Sequence, residues 1–167
     1  LSFSRISSKF SYARKHPVHK VVRPHTGVDY AAPMGTPVMA IGDGVVTFKG
    51  YKGGGGHTVK IRHNSTYTSA YLHLSKYGKG IAEGVRVSQG QVIGYVGSSG
   101  TSTGAHLDFR IWKNGKPIDP LKMDGSVSAD PIKVQDKEGF ERTKANCLAQ
   151  IQKIGVANAA KDLFDKL

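Results

Sequence analysis

The sequence predicts a mainly β fold, with antiparallel sheets forming a small sandwich or open barrel with a groove, plus a C-terminal helix. Three observations predict it. Residues 1–125 are rich in Gly, Val and Thr. Their apolar residues fall in short alternating runs, the period of half-buried strands. The runs lie close together, separated by brief glycine-bearing turns, which implies antiparallel pairing.

Val38-Met-Ala-Ile41 and Gly44-Val-Val-Thr-Phe48 read as strands on either side of a Gly42-Asp-Gly44 turn. Lys52-Gly-Gly-Gly-Gly56 reads as a mobile hairpin tip rather than a substrate-contacting loop, and His57–Arg62 reads as the strand after it. Thr68–Leu74 and Gln91–Val96 read as two further strands. Lys113-Asn-Gly-Lys116 reads as a turn. From about residue 136 the period changes. Phe140, Lys144, Cys147, Leu148, Ile151 and Ile154 recur at three- and four-residue intervals, as on one face of a helix. Gly155 is expected to end or kink it, with residues 157–167 continuing. The expected organisation is one domain over residues 1–125 and a helical extension over 126–167, packed on it or trailing from it and without chemistry of its own.

The 167 residues fit one ordinary domain. Hydrophobic content of 38% against 22% charged residues excludes a disordered chain. No apolar run approaches the ~20 residues that span a bilayer. The opening Leu1-Ser-Phe-Ser-Arg-Ile lacks Met and an apolar leader, and reads as a mature or trimmed start. The formal net charge of +12 points to an anionic partner. The basic residues are spread out, without an arginine-rich stripe or stacking aromatics. That argues against nucleic acid and leaves acidic lipid or wall polymer. The single cysteine, Cys147, cannot form an internal disulfide and is expected as a packed thiol. Ser75, Ser98 and Ser99 lack a nucleophile arrangement, which argues against a serine hydrolase.

As a strand, residues 106–111 place Leu107, Phe109 and Ile111 on one face and His106, Asp108 and Arg110 on the other. Trp112 continues the polar register as groove wall. The same rule in Tyr71-Leu-His-Leu-Ser75 sends Leu72 and Leu74 inward and Tyr71, His73 and Ser75 outward. His25-Thr-Gly-Val-Asp29 adds an imidazole and a carboxylate, with Gly27 permitting a tight bend between them. Both are ordinary zinc ligands, and three protein ligands plus an open position is the pattern of catalytic zinc. Taken alone, a His-x-x-x-Asp pair has little specificity.

These segments occur together with Ser7-Ser-Lys-Phe-Ser-Tyr-Ala-Arg14, Gly35-Thr-Pro-Val38, Gly90-Gln-Val-Ile-Gly94, Gly97-Ser-Ser-Gly-Thr-Ser-Thr-Gly104 and Asn114-Gly-Lys-Pro-Ile-Asp-Pro-Leu121. In that order the stretch from Ser7 to Leu121 resembles the lysostaphin-type (LytM) zinc endopeptidases, which cut peptide cross-links in bacterial peptidoglycan. The resemblance implies a small all-β fold with a long groove and one zinc ion on its floor. It implies His25 and Asp29 as metal ligands and His73 and His106 as catalytic histidines. The chain departs from the family's His-x-His motif, since Asp108 stands where the third metal ligand, the second His, is usual.

Asp108 is expected to bind the ion, because carboxylate oxygen is a normal zinc ligand. One His and two Asp around a dication carry no net charge, against one positive charge for two His and one Asp. Such a site would also accept Mn2+ or Fe2+ more readily. In the alternative, Arg110 neutralises Asp108 and leaves no metal site. The expected function is a zinc metallopeptidase hydrolysing peptide bonds in peptidoglycan stems or cross-links. The alternative is a wall-binding scaffold or amidase activator without a functional metal. A monomer in the bacterial cell envelope, periplasmic or secreted, is expected, with peptidoglycan as its partner. His16, His19, His57 and His63 match no site position and are expected to be solvated or lightly hydrogen-bonded.

Overall fold

The computed structural model describes residues 3–15, 22–123 and 134–164. His16 and His19 lie outside them. In chain order the strands are β1 (Arg5–Ser8), β2 (Ser11–Lys15), β3 (Val22–His25), β4 (Val28–Ala31), β5 (Pro37–Met39), β6 (Gly44–Tyr51), β7 (His57–Arg62), β8 (Tyr67–Tyr77), β9 (Arg86–Val87), β10 (Val92–Val96), β11 (His106–Lys113) and β12 (Lys116–Ile118). Each named pairing is antiparallel. The main sheet runs β1-β4-β11-β8-β7-β6-β9, with β10 bridging β8 to β5 and β12 extending β11. β2 and β3 form a separate two-stranded sheet.

The sheet's buried face is built from the alternating runs. Val46, Val59, Ile61, Leu107 and Ile111 are at most 3% exposed. Burying each such side chain contributes about 1.5–3 kcal/mol, so the alternation specifies the register of every strand it occupies.

β8 breaks the expected alternation in an informative way. Tyr71 and Leu72 are inverted relative to the simple strand rule. Tyr71 pairs with Phe109 and is 1% exposed in the core, whereas Leu72 pairs with Asp108 on the groove face. His73 still joins the groove face, because its φ is +60°. Three residues of β8 separate the partners of His57 and Val59, where two would be regular. The extra residue makes a bulge that resets the pleat and returns Leu74 to the core. Here the sheet also splits. Residues 67–72 pair with β11, and residues 74–77 pair with β10.

A left-handed backbone at a residue with a Cβ costs about 1–2 kcal/mol. His73→Gly is therefore expected to be more stable than His73→Ala by about 1 kcal/mol in urea titrations, the reverse of the usual strand preference.

The buried Tyr71 hydroxyl accepts from Ile41 N at 3.0 Å and lies 3.2 Å from Ser69 Oγ. Burial pushes its pKa up to about 12.

The chain divides into two compact units, Leu1–Ala129 and Asp130–Leu167. The second contains α1 (Lys137–Phe164). This helix continues past Gly155, where an end or a kink was expected, so the expected end is corrected. One glycine costs a helix only about 1 kcal/mol and does not by itself stop it. Cys147 is exposed, so the expected packed thiol is corrected. Phe140 and Leu148 are exposed as well.

Candidate metal centre

Strand pairing assembles the centre. β3 ends at His25, and after two residues β4 begins. β4 lies beside β11 in a register that sets Asp29 directly opposite Asp108. Two carboxylates directly opposite each other repel, and Asp108 is 3% exposed. Such a pair requires cations nearby. His25 Nε2 lies 3.1 Å from Asp29 Oδ1 and 3.9 Å from Asp108 Oδ2. His106 Nε2 lies 3.8 Å from Asp29 Oδ1. One donor atom each from His25, Asp29 and Asp108 fall within 4.8 Å of one another.

Gly27 serves this assembly differently from the expected bend. Its φ is not left-handed. A Cβ there would come 2.4 Å from Asp108 Oδ1 and 2.8 Å from the Phe109 carbonyl. Glycine is needed because β11 and its carboxylate pass close by. Gly27→Ala is expected to destabilise the protein by about 1–3 kcal/mol and to weaken metal binding. Thermal unfolding with and without zinc checks both.

The three histidines are anchored in the same way. The Nδ1 atoms of His25, His73 and His106 lie 3.1, 2.7 and 2.9 Å from the carbonyl oxygens of Lys9, Ser99 and Gly104. A carbonyl only accepts, so each Nδ1 carries the proton and donates it. In the neutral rings of His73 and His106 this tautomer leaves a lone pair on Nε2, and the two rings lie 4.7 Å apart. In His25 both nitrogens face acceptors, which favours the protonated ring. Its pKa is raised above 6.5, chiefly by the Asp29 hydrogen bond and against the opposing effect of burial. With a metal bound, His25 would ligate through Nε2 in place of the proton there, and the Lys9 carbonyl would hold the ligating tautomer.

Arg110 is the permanent cation beside this pair. Its Nε donates to both oxygens of Asp108 at 3.0 and 3.1 Å, and its Nη2 donates to Oδ2 at 2.6 Å. Nη1 reaches Thr26 Oγ1 at 3.4 Å. Burial alone would lower the guanidinium pKa. Hydrogen bonding to Asp108 and the charges of both aspartates outweigh that and raise it. The fork does not exhaust Asp108, because two carboxylate oxygens offer about four lone-pair sites. The donor set thus fits a divalent cation, with Arg110 behind one ligand.

His25, Asp29, His73, His106, Asp108 and Arg110 all line one open pocket of about 390 Å³. Gly54 and Gly55 line it too, which corrects the expected free hairpin tip. Thr101 N donates to the Gly54 carbonyl at 2.8 Å. His57 N donates to Ser99 Oγ at 2.9 Å. A Cβ on Gly56 would come 2.4 Å from Ser99. The glycines let this loop seat against residues 99–101. His57 and His63 stay outside the pocket, hydrogen-bonded to Tyr77 Oη and to Asp43 O and Ser69 Oγ. Ser99 Oγ donates to the Leu74 carbonyl, a structural role. The carbonyl anchors were not foreseen. Backbone acceptors leave no residue-type signal, and only the folded loops reveal them.

Residues 23–120 match the sequence model of Peptidase family M23. The chain belongs to this family. It is 45% identical over 165 residues to a DD-carboxypeptidase/endopeptidase of Neisseria meningitidis, covering 97% of this chain and 37% of that protein. The chain thus spans a little over a third of the length of that protein. Among solved structures, a zinc-containing peptidase from Vibrio cholerae superposes with a TM-score of 0.69 at 40% identity, over 73% of this chain and 37% of that one. The catalytic domain of lysostaphin from Staphylococcus simulans superposes with a TM-score of 0.61 at 32% identity, over 70% of this chain and 89% of that domain. The M23 chain therefore has the lysostaphin-type antiparallel fold that its motifs predicted.

Proposed function

We propose that this chain is the catalytic part of a peptidoglycan endopeptidase, hydrolysing peptide bonds of stems or cross-links with a divalent metal held by His25, Asp29 and Asp108. The observation that carries this reading is the convergence of those three donor atoms, within 4.8 Å, in a pocket also lined by His73 and His106. The relative named DD-carboxypeptidase/endopeptidase supports the same substrate class.

Zinc, when bound, supplies a Lewis acid that polarises the scissile carbonyl and acidifies water. The chain supplies the proton chemistry. Nε2 of His106 and of His73 carries a lone pair and can accept the proton of the attacking water, then return it to the leaving amine. As donors, the same atoms stabilise the oxyanion. Their Nδ1–H bonds to fixed carbonyls hold the rings in place throughout. Arg110 restores the charge balance. With His25 neutral, the two aspartates and Arg110 carry one net negative charge, so a dication leaves the site at one positive. That is the charge two histidines and one aspartate would give. The two-carboxylate donor set also suits Mn2+ or Fe2+.

Every residue of this chemistry lies within residues 1–125, and residues 126–167 form the helical extension. The expected setting is the bacterial cell envelope, periplasmic or secreted, where the net charge of +12 favours an anionic polymer. A monomer suffices, since every site residue comes from one chain.

The test is digestion of purified peptidoglycan, with products read by mass spectrometry. New amine and carboxyl ends, lost with a chelator and restored by zinc, are the expected result. Bound but uncut peptidoglycan, with no stoichiometric metal after reconstitution, would instead make this a wall-binding scaffold or amidase activator.

A further inference from the structure

The groove face does not end at the metal centre. Beyond Asp108, β11 presents Arg110 and then Trp112 on the same side. The ladder aligns Lys60 of β7, Ala70 of β8 and Arg110 of β11 in one row. Ala70, between the two cations, is fully buried, and a recess opens beside them. This second pocket, of about 220 Å³, is lined by Lys52, Lys60, Leu72, Arg110 and Trp112 among others, and no acidic residue lines it. It adjoins the metal pocket through Gly55 and Arg110, which line both.

Its lysines are uncompensated. Arg110 is paired with Asp108. Among the described residues, neither Lys52 nor Lys60 has an ion-pair partner. They lie instead over aromatic rings. Lys60 Nζ is 5.1 Å from the Trp112 centroid, and Lys52 Nζ is 5.7 Å from that of Phe48. Burial, together with the charges of Lys52 and Arg110, holds the Lys60 ammonium below its usual pKa of 10.5. Like charges gathered in a recess favour an anion there.

Spacing selects the anion. Lys60 lies two strand residues along and two strands across from Asp108, about 12 Å by sheet spacing. An extended peptide covers that distance in about four residues. A peptide whose scissile carbonyl sits at the metal centre and that runs toward β7 therefore brings its side chains past this recess within that span.

We propose that the recess is a substrate-carboxylate subsite. Lys60, with Lys52, receives a carboxylate borne within about four residues of the scissile bond, and Leu72 and Trp112 flank the aliphatic part of that residue. The proposal rests on the endopeptidase reading and adds the charge of the substrate residue that the groove selects.

The probes are soluble cross-linked muropeptides with stem carboxylates either free or converted to carboxamides. They are compared on the zinc-reconstituted chain and on K52Q/K60Q. Wild type is expected to favour the free acid in kcat/KM by about tenfold, as charged hydrogen bonds allow. In the variant that ratio falls toward one, with zinc stoichiometry unchanged as evidence of an intact site. An equal ratio in both proteins overturns the subsite. Calorimetric binding of the same two probes repeats the comparison without turnover. Acid-over-amide preference lost in the variant supports the subsite even where no cleavage occurs, which would count against the endopeptidase reading alone. Equal binding of acid and amide by wild type overturns the subsite.

Discussion

Asp108→Ala is expected to lower zinc affinity by more than about 100-fold, exceeding the roughly 10–100-fold cost of losing an outer-shell partner. Asp108 is buried opposite Asp29 and within ligand reach of His25, so no neighbouring side chain can replace its oxygen. Elemental analysis after zinc reconstitution reads this directly, with about one zinc per wild-type chain and little in the variant. Arg110→Met is the companion variant. It leaves Asp108 without its fork, and an unpaired buried carboxylate costs about 3 kcal/mol or more. The metal-free variant is thus expected to unfold more easily and to recover most of that stability when zinc is added. Retained zinc in Arg110→Met with loss in Asp108→Ala makes Asp108 the ligand and Arg110 its support. The opposite pattern, a metal-free wild type that gains zinc on losing Arg110, would show the guanidinium blocking the site.

His106→Ala is expected to lower kcat by about 10²–10⁴-fold with zinc content unchanged. That corresponds to about 3–5 kcal/mol of transition-state stabilisation. His106 is held by Gly104 O and Ser102 Oγ through Nδ1, which leaves Nε2 for the proton. His73→Ala should fall in the same range. The double variant should cost less than the product of the two, because adjacent rings serving one proton path do not act independently. Steady-state kinetics on cross-linked muropeptides, paired with metal analysis, separates these effects from loss of the ion. Unchanged kcat in both single variants would remove the histidines from the proton chemistry.

Much of this protein was legible in its residues. The antiparallel fold followed from alternation, because a one-residue slip would turn every apolar side chain of a strand to solvent. β11 shows it best, with Leu107, Phe109 and Ile111 in the core and His106, Asp108 and Arg110 over the groove. The candidate site residues could be named because metal ligands and general bases draw on few residue types, in recognisable short motifs.

The exceptions came from contacts between distant segments. β8 departed from alternation at His73, where a left-handed residue lets the strand change partners from β11 to β10. No local propensity announces a histidine at φ +60°. Gly27 could be seen as a glycine, but only the passage of Asp108 beside it shows what the missing Cβ is for. The four-glycine loop read as a free tip until residues 99–101 were set against it. Cys147 was misjudged because helical spacing reports a face and not whether anything covers it. By itself, then, the sequence determined the fold class, the faces of β11 and the residue types of the candidate site, since these depend on residue type and short spacing. Only the tertiary structure decided that Asp108 sits between Asp29 and Arg110, that backbone carbonyls anchor each imidazole, and that unpaired lysines gather one row beyond the metal pocket. Each of these depends on strand register and loop closure across the sheet, which no short stretch of chain encodes.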